Sequence, residues 1–396
     1  MTRVLIANRG EIALRVIRAC HDEGLEAVAV YSDADRLAAH VRAADHAVRI
    51  GPAAPGESYL RIDRLIEAAR ATGATFVHPG YGFLSERAAF ADALAEAGLT
   101  FVGPPADAIR AMGDKTEARK RMDAAGVPIV PGAHVDGADP AAAAAAAAKV
   151  GFPLVVKASA GGGGRGMRIV RSAGDLAGAL VSAASEAQKA FGDGRVYLER
   201  YVERGRHVEV QVLADAERVI HLGERECSVQ RRYQKLVEES PSVAVTPDLR
   251  RRLGEAAVAA ASAVHYRGAG TIEFLLAADG SFYFLEMNTR IQVEHPVTEL
   301  VYGVDLVHEQ LRIARGMPMT IPAGEREPRG WAVECRITSE DPAEGFLPGN
   351  GRVSYLRVPG GPGIRWDGGY ELGDEVTLHY DSLLGKLIAW GRDRGE

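Results

Sequence analysis

Cysteine is scarce in this 396-residue chain: Cys20, Cys227 and Cys335 lie far apart and form no C-x-x-C pair. That scarcity speaks against a zinc site or a disulfide framework and fits a reducing, cytoplasmic compartment. Long apolar runs are missing too, with nothing near the ~20 residues that a membrane-spanning helix needs. The N-terminus carries Glu11, Arg15 and Arg18 within its helical periodicity and does not read as a signal peptide. Nor is there a basic excess. With 47 Lys and Arg against 53 Asp and Glu, the formal net charge is −6, which argues against a duplex nucleic acid as partner. Three common signatures are also absent. The turn after the first strand-like segment reads Asn-Arg-Gly-Glu in place of G-x-G-x-x-G. The one glycine run lacks the Gly-Lys-Ser/Thr ending of a P-loop, and no H-E-x-x-H occurs.

What is present is ordinary globular material, 47% apolar and 25% charged. The length implies two or three domains, since single cores stop growing near roughly 250–300 residues. The first stretch of about a hundred residues alternates strand-like RVLIA, EAVAVYS and TFVHPG with helix-like EIALRVIRACHDEG and RIDRLIEAARATG, the pattern of a parallel sheet wrapped by helices. A second region opens near Met112–Lys115. It contains the helix TEARKRMDAAG, the alanine tract 141–151, read as a plain surface helix, and the strands PLVVKA and MRIVRS around the glycines. A third region from about Gly330 is mainly β, with WAVECRITSE, RVSYLRV, GIRWDG and LGKLIAWG. It is expected to stop short of its natural domain end.

The chemistry starts at the glycine run, Lys157 to Gly166. Between two strands it makes a hairpin tip whose backbone amides can close over phosphates, with Lys157 as a point charge; a mobile linker is the alternative. The sharper signal is TIEFLLAADGSFYFLEMNTRIQVEHP. Asp279-Gly280 favours a two-residue hairpin turn, so that partners across the hairpin have numbers summing to 559. Glu273 and Glu286 then face each other, with Asn288 on the same face. Two carboxylates at ~4 Å repel by roughly 4 kcal/mol at an effective dielectric near 20, and with an amide oxygen they are hard ligands suited to magnesium on nucleotide phosphates. A protonated Glu, or a bulge that separates the pair, is the competing outcome.

If the following chain stays extended, Arg290, Gln292 and Glu294 share a face and form an anion cradle with a base beside it. In QRRYQKLVEESPS only Lys235 stands out, because charge runs are usually solvated. Glu334 and Arg336 share a face of AVECRIT, where a self-paired surface pair is the plain reading. His207 and His295 read as hydrogen-bonding residues and Cys227 as a packing thiol.

Together IANRGEIALRVIRA, HPGYGFLSE, MGDK, KASAGGGGRGM, RHVEVQVL, ERECSVQRRYQKLVEE, EMNTRIQVEHPVTE and AVECRI resemble biotin carboxylase, the ATP-grasp component of biotin-dependent carboxylases. The resemblance runs in order over the whole chain. It implies a mixed α/β and α+β fold in three parts: a Rossmann-like parallel-sheet domain at 1–113, an ATP-grasp domain at 114–328 with a mobile glycine-rich lid at about 131–202, and an incomplete, mainly β C-terminal domain at 329–396. It implies ATP binding by Lys115, Lys157, Gly163, Gly164, Glu199, Arg200, Tyr201, Val202, His207, Tyr233, Leu275, Glu273 and Glu286. Tyr233 stands where some members carry His, and Ala160 where many carry another glycine. Glu273, Glu286 and Asn288 match the ligands of two magnesium ions (Mg2+, with Mn2+ as an alternative). Lys235, Arg290, Gln292 and Val293 match bicarbonate-binding residues, Glu294 the catalytic base, and Arg336 the residue that steadies the biotin enolate.

The implied reaction is ATP- and bicarbonate-dependent carboxylation of biotin through carboxyphosphate. No Met-Lys-Met attachment site occurs, so biotin is expected on a carrier protein or domain, with a carboxyltransferase as the further partner and a homodimer or larger assembly as the state. Two other readings compete. Another ATP-grasp carboxylate–amine or carbamoyl-phosphate-type ligase would share the hairpin without needing RIQVEHPVTE or Arg336. A nucleotide-binding but inactive fragment would bind ATP without turnover.

Overall fold

The structure, a computed structural model, describes residues 2–135, 140–158, 167–191, 194–322, 324 and 326–396. The opening alternation folds as read. Strands β1 (Arg3–Ile6), β2 (Glu26–Ser32), β3 (His46–Gly51), β4 (Phe76–His78) and β5 (Thr100–Phe101) make an all-parallel sheet in the order β3-β2-β1-β4-β5. Its middle strands bury Val4, Leu5, Ile6, Val28, Val30 and Val77, as a sheet covered on both faces must. Helix Gly10–Asp22 lays Ile12, Val16 and Ala19 against this core, the spacing of an apolar helix face.

The described residues between 132 and 200 build a small lobe of their own. Strands β6 (Gly132–Val135), β7 (Leu154–Ala158), β8 (Arg168–Val170) and β9 (Val196–Arg200) form an antiparallel sheet ordered β6-β9-β7-β8. The glycine run 159–166, with Gly163 and Gly164, lies outside the described residues. The alanine tract is helical over Pro140–Val150, but it is not a plain surface helix. Ala143, Ala147 and Val150 are buried against Leu154, Val156 and Leu198. Without bulk at these positions the helix backbone comes close to the sheet, so a tract chosen for propensity also serves packing.

The remaining large strands are β10 (Arg206–Ala214), β11 (Val219–Arg231), β12 (Gln234–Ser240), β13 (Gly268–Leu276), β14 (Phe282–Asn288) and β15 (Trp331–Thr338). Beyond them lie two short pairs, β16 (Glu340–Asp341) with β17 (Leu347–Pro348), and β18 (Gly351–Arg352) with β20 (Glu375–Val376), together with β19 (Ile364–Gly368) and β21 (Leu383–Gly391). Eight of these strands join one sheet, β14-β13-β10-β11-β12-β15-β21-β19, antiparallel at every pairing. Through β12 and β15 this sheet joins strands on either side of residue 328, where the family resemblance implies a boundary. Helix Pro247–Ser262 covers part of it, burying Leu249, Leu253, Ala257 and Ala260; Thr246 caps its first turn and Pro247 follows.

One expected strand does not form. Of RVSYLRV only Arg352 lies in a strand and Val353 exchanges backbone bonds with Gly373 and Asp374, while Ser354 to Val358 are exposed and have no strand partner among the described residues. Alternating apolar residues make a strand only beside a neighbour that takes their backbone bonds. The C-terminal sheet meets the N-terminal domain closely at Gly369, where a Cβ would sit 2.6 Å from the Glu11 backbone nitrogen.

Candidate active site

The hairpin that carries the two glutamates reaches its register by a different route from the one expected. Ala277 and Ser281 close a three-residue loop in which Gly280 has φ +81°, so pairs next to the turn, such as Leu276 with Phe282, run one residue short of the expected sum. A bulge at Leu285 then restores it, and Glu273 stands opposite Glu286 with Asn288 opposite Thr271. The bulge that could have separated the glutamates is what pairs them.

Glu273 is the hub. One carboxylate oxygen accepts from Asn288 Nδ2 at 2.8 Å, Lys235 Nζ at 2.9 Å and Gln292 Nε2 at 3.0 Å. The other meets His207 Nε2 at 2.8 Å, whose Nδ1 faces the Gln230 amide at 3.0 Å. Burial alone would raise the pKa of Glu273, but Lys235 and His207 outweigh it and hold the group far below the usual range. Glu286 differs. It is exposed to the cleft, and the protein atoms around it together with the Glu273 charge push its pKa up, against a pull from Lys115. Two oxygen-only carboxylates, one of them unbalanced, suit a hard divalent cation, while Asn288 turns its amide nitrogen to Glu273 and its oxygen to Arg290.

Lys235 joins the two halves of the site. Its ammonium also donates to Glu209 at 2.5 Å and Glu294 at 2.7 Å. Burial would lower its pKa, but Glu209, Glu294 and Glu273 together drive it well above normal. Side chains also converge in two tight sets, His207–Glu209–Glu273 and Glu209–Cys227–Glu294. In each the Lys235 ammonium contacts both carboxylates. Behind them Arg225, fully buried, donates to Glu209, Gln211, Thr298 and Thr271 at 2.5–3.0 Å.

The cradle segment does not stay extended. After β14 the chain bends at Thr289–Arg290 and turns at Val293–Glu294 into helix His295–Tyr302, with Pro296 in its first turn. The shared face is therefore replaced by contacts. Arg290 reaches Asn288 Oδ1 at 3.0 Å, Gln292 Oε1 at 3.3 Å and, from the N-terminal domain, Glu86 at 3.1 Å. Glu294, fully buried, receives Lys235 on one oxygen and Arg336 on the other at 3.0 Å. Burial opposes its ionisation, but Lys235, Arg336 and Arg225 hold its pKa well below the usual range.

Arg336 is no self-paired surface residue. It donates to Glu238 at 2.7 Å as well as to Glu294. Glu334 is buried opposite Glu238 across β12 and β15, and neither of its oxygens finds a hydrogen-bond donor among the described residues. Burial pushes the pKa of Glu334 well up and that of Glu238 to about 7. Cys227 is a buried thiol whose Sγ lies 3.9 Å from Glu294, with its pKa raised by burial.

The expected nucleotide residues are spread around this hub. Lys115 is exposed at the start of helix Lys115–Ala124. In the small lobe Lys157 pairs with Glu199, which Arg119 also grips at 2.7 Å. The Arg200 side chain turns to the Val150 carbonyl, and Tyr201 and Val202 link the lobe to β10. Leu275 lies opposite His207 across β13 and β10. Tyr233 is apart from the rest, at the exposed tip of the β11–β12 turn with φ +66°. Glu86, Glu209, Arg225, Glu238 and Lys386 do not stand out in the sequence. The i, i+2 spacing of Glu209 and Gln211 in an otherwise apolar strand is the signal available for one of them.

Fold and site together define an ATP-dependent ligase of the ATP-grasp kind, and the comparisons with known proteins agree. Residues 1–109 match the biotin carboxylase N-terminal domain, 114–321 the ATP-binding domain of carbamoyl-phosphate synthase L chain, and 334–396 the biotin carboxylase C-terminal domain. A pyruvate carboxylase subunit from Methanothermobacter thermautotrophicus is 51% identical over 396 residues, spanning 100% of this chain and 80% of that one. Biotin carboxylase of Nostoc sp. is 53% identical over 393 residues, 99% of this chain and 88% of the relative. A biotin carboxylase–β,γ-ATP complex from Campylobacter jejuni superposes with TM-score 0.92 at 46% identity, covering 99% of this chain and 88% of that one. The biotin carboxylase domain dimer of 2-oxoglutarate carboxylase from Hydrogenobacter thermophilus, with MgADP, ADP and bicarbonate, gives TM-score 0.91 at 48% identity, over 99% and 86%. The chain belongs to the biotin carboxylase family, enzymes that carboxylate biotin at the expense of ATP. No described helix is long and apolar enough to cross a membrane.

Proposed function

We propose that this chain carboxylates biotin in two steps, with the site residues in the roles their surroundings favour. Glu294 takes the proton of bicarbonate, held by Lys235, Arg290, Gln292 and the Val293 backbone. The freed oxygen attacks the γ-phosphorus of ATP, the bond to the bridging oxygen breaks, and ADP leaves carboxyphosphate behind. Carboxyphosphate separates into CO2 and phosphate; the phosphate removes the ureido N–H proton of biotin, and the biotin enolate, steadied by Arg336, takes up CO2. Lys115, Lys157, Glu199, His207 and Leu275 face the nucleotide, with Gly163 and Gly164 assigned to the same task by family likeness. Glu273, Glu286 and Asn288 would hold magnesium, which when bound neutralises charge on the transferred phosphoryl oxygens.

The observation that carries this reading is Glu294, a buried carboxylate held ionised between Lys235 and Arg336. An ionised carboxylate can accept a proton, and the Lys235 and Arg336 cations beside it can hold a small oxyanion. The ATP-binding segment alone would also suit a carbamoyl-phosphate-type ligase, but both flanking segments match biotin carboxylase. We place the domain boundaries at 113/114 and 328/329, the enzyme in the cytoplasm as a homodimer or within a larger carboxylase assembly, and its biotin on a carrier protein or domain that serves a carboxyltransferase.

Phosphate release from Mg-ATP, with and without bicarbonate and with and without free biotin, tests the reading. Release should require bicarbonate and rise with biotin. Glu294→Gln should keep nucleotide binding and lose bicarbonate-dependent release by roughly 100- to 10,000-fold. Wild-type release in that variant would remove Glu294 from the role of base.

A further inference from the structure

The bicarbonate-facing loop is held from behind by a residue of the C-terminal sheet. Lys386, on β21, is completely buried, and its ammonium donates to the Val293 carbonyl at 2.8 Å. The same ammonium lies 3.2 Å from Glu11 Oε2 on the first helix of the N-terminal domain, and the other Glu11 oxygen accepts from the Tyr81 hydroxyl. Across the sheet Lys386 stands between Arg336 on β15 and Asp367 on β19. The preceding peptide is fixed in the same way, since the buried His295 donates from Nδ1 to the Gln292 carbonyl at 2.8 Å.

A trans peptide is planar, with its N–H pointing opposite to its C=O. Pinning the Gln292 and Val293 carbonyls therefore fixes the directions of the Val293 and Glu294 amides, and with the second amide the point from which the Glu294 side chain departs. Successive backbone amides held in one direction make an anion-binding concavity. Burying an ammonium with no solvent contact is costly unless it has dedicated acceptors. Among the described residues Lys386 has two acceptors, a carboxylate from one domain and the carbonyl of the loop.

We infer that Lys386 is a positioning residue for bicarbonate: through the Val293 carbonyl it sets the loop that carries Gln292, Val293 and Glu294, and it ties that setting to Glu11 of the N-terminal domain. The inference rests on the reading of this loop as the bicarbonate site.

The test is steady-state phosphate release by the full chain, with KM determined separately for bicarbonate and for ATP. Lys386→Met alone would strand a buried Glu11 charge, so the informative protein is Lys386→Met/Glu11→Gln, which removes both charges together. Its bicarbonate KM should rise roughly tenfold or more while its ATP KM stays within about twofold, because a lost positioning bond displaces reacting groups without touching the nucleotide. Lys386→Arg, which keeps a charged donor, should fall between this variant and wild type. A purely structural role would instead lower the active fraction, counted by nucleotide titration, at unchanged bicarbonate KM. That result, or a double variant that does not fold, overturns the inference. Glu294→Gln is measured alongside. If it retains bicarbonate-dependent release, the loop reading itself has failed; if it loses release while the double variant keeps its bicarbonate KM, only the role of Lys386 has.

Discussion

The two large sheets of this molecule solve opposite problems. In the five-stranded parallel sheet, β1, β2 and β4 bury aliphatic side chains along their length, and the buried polar groups Ser32 and His78 sit only at strand ends. In the eight-stranded antiparallel sheet the middle strands bury Glu209, Arg225, Glu238, Glu273, Glu334 and Lys386. The first is an assembly that hydrophobic burial alone accounts for. The second carries charges that each cost free energy to bury and persist only where partners surround them. Stability is the task of one sheet and chemistry that of the other, and the difference can be broken by removing the partners.

Lys235→Met should have the largest effect. It takes the only cation in contact with Glu209, Glu273 and Glu294 together, among the described residues, away from three buried carboxylates. A stability loss of roughly 3–5 kcal/mol is expected from stranding buried charge. Bicarbonate-dependent phosphate release should fall by roughly 1,000-fold. Urea unfolding and release assays read the two losses separately. A stable, active Lys235→Met would mean that the carboxylates of this sheet are not charge-balanced as described.

Inserting one alanine between Phe284 and Leu285 should come next. With the bulge still holding one extra residue, Leu285 takes the place opposite Glu273, and the Glu286 side chain passes to the other face. Release should then fall by roughly 100-fold or more, because the site loses one of the groups proposed to hold magnesium. Addition of magnesium should not restore it. Recovery at high magnesium would show that Glu286 need not face Glu273.

Glu299 sharpens the comparison at the seam between the two sheets. It is buried with Arg15 at 2.9 Å and Arg365 at 2.7 Å. Burial works against its ionisation, but Arg15, His295 and Arg365 bring its pKa down to about 2. A carboxylate depressed on folding adds stability above its unfolded value of about 4.3, and loses that contribution as pH falls through the folded one. Glu299→Gln should therefore cost on the order of 3 kcal/mol at pH 7. The gap from wild type should close as unfolding is measured at pH values falling from about 4 towards 2. A gap independent of pH would assign the loss to packing.

Periodicity and turn chemistry are enough to read the parallel sheet, because there the side-chain pattern and the burial coincide. The family is legible from its motifs, and the resemblance they carry is what gives Lys235 its weight. Glu273 faces Glu286 as expected, but through a three-residue loop and a bulge in place of the two-residue turn. What stays hidden is who lies opposite whom. Glu238 reads as part of a solvated charge run and Glu334 as the surface partner of Arg336. Only the pairing of β12 with β15 puts both glutamates inside and turns Arg336 toward Glu238 and Glu294. Lys386 is a single charge in an ordinary strand pattern, made meaningful by a carbonyl 93 residues away. The Arg290–Glu294 segment reads as extended because neighbouring polar residues alternate, while Pro296 at the start of the next helix signals a turn instead.

The smallest expected effect lies at the other end of the same hairpin. Deleting Ala278 shortens the three-residue loop to Asp279-Gly280, the two-residue turn that the sequence favours, while Ala277 and Ser281 can still close it. The pairs from Leu276–Phe282 onward, the Leu285 bulge and the facing glutamates should all be kept. Unfolding free energy should change by less than about 0.5 kcal/mol, as for a surface change away from special features. Phosphate release should match wild type. If release instead collapses as it does with the inserted alanine, then the register of Glu273 and Glu286 is set by the loop and not by the bulge. A strand pair that tolerates the loss of one residue at its tip, and fails on the gain of one residue beside Leu285, locates the functional constraint at the bulge.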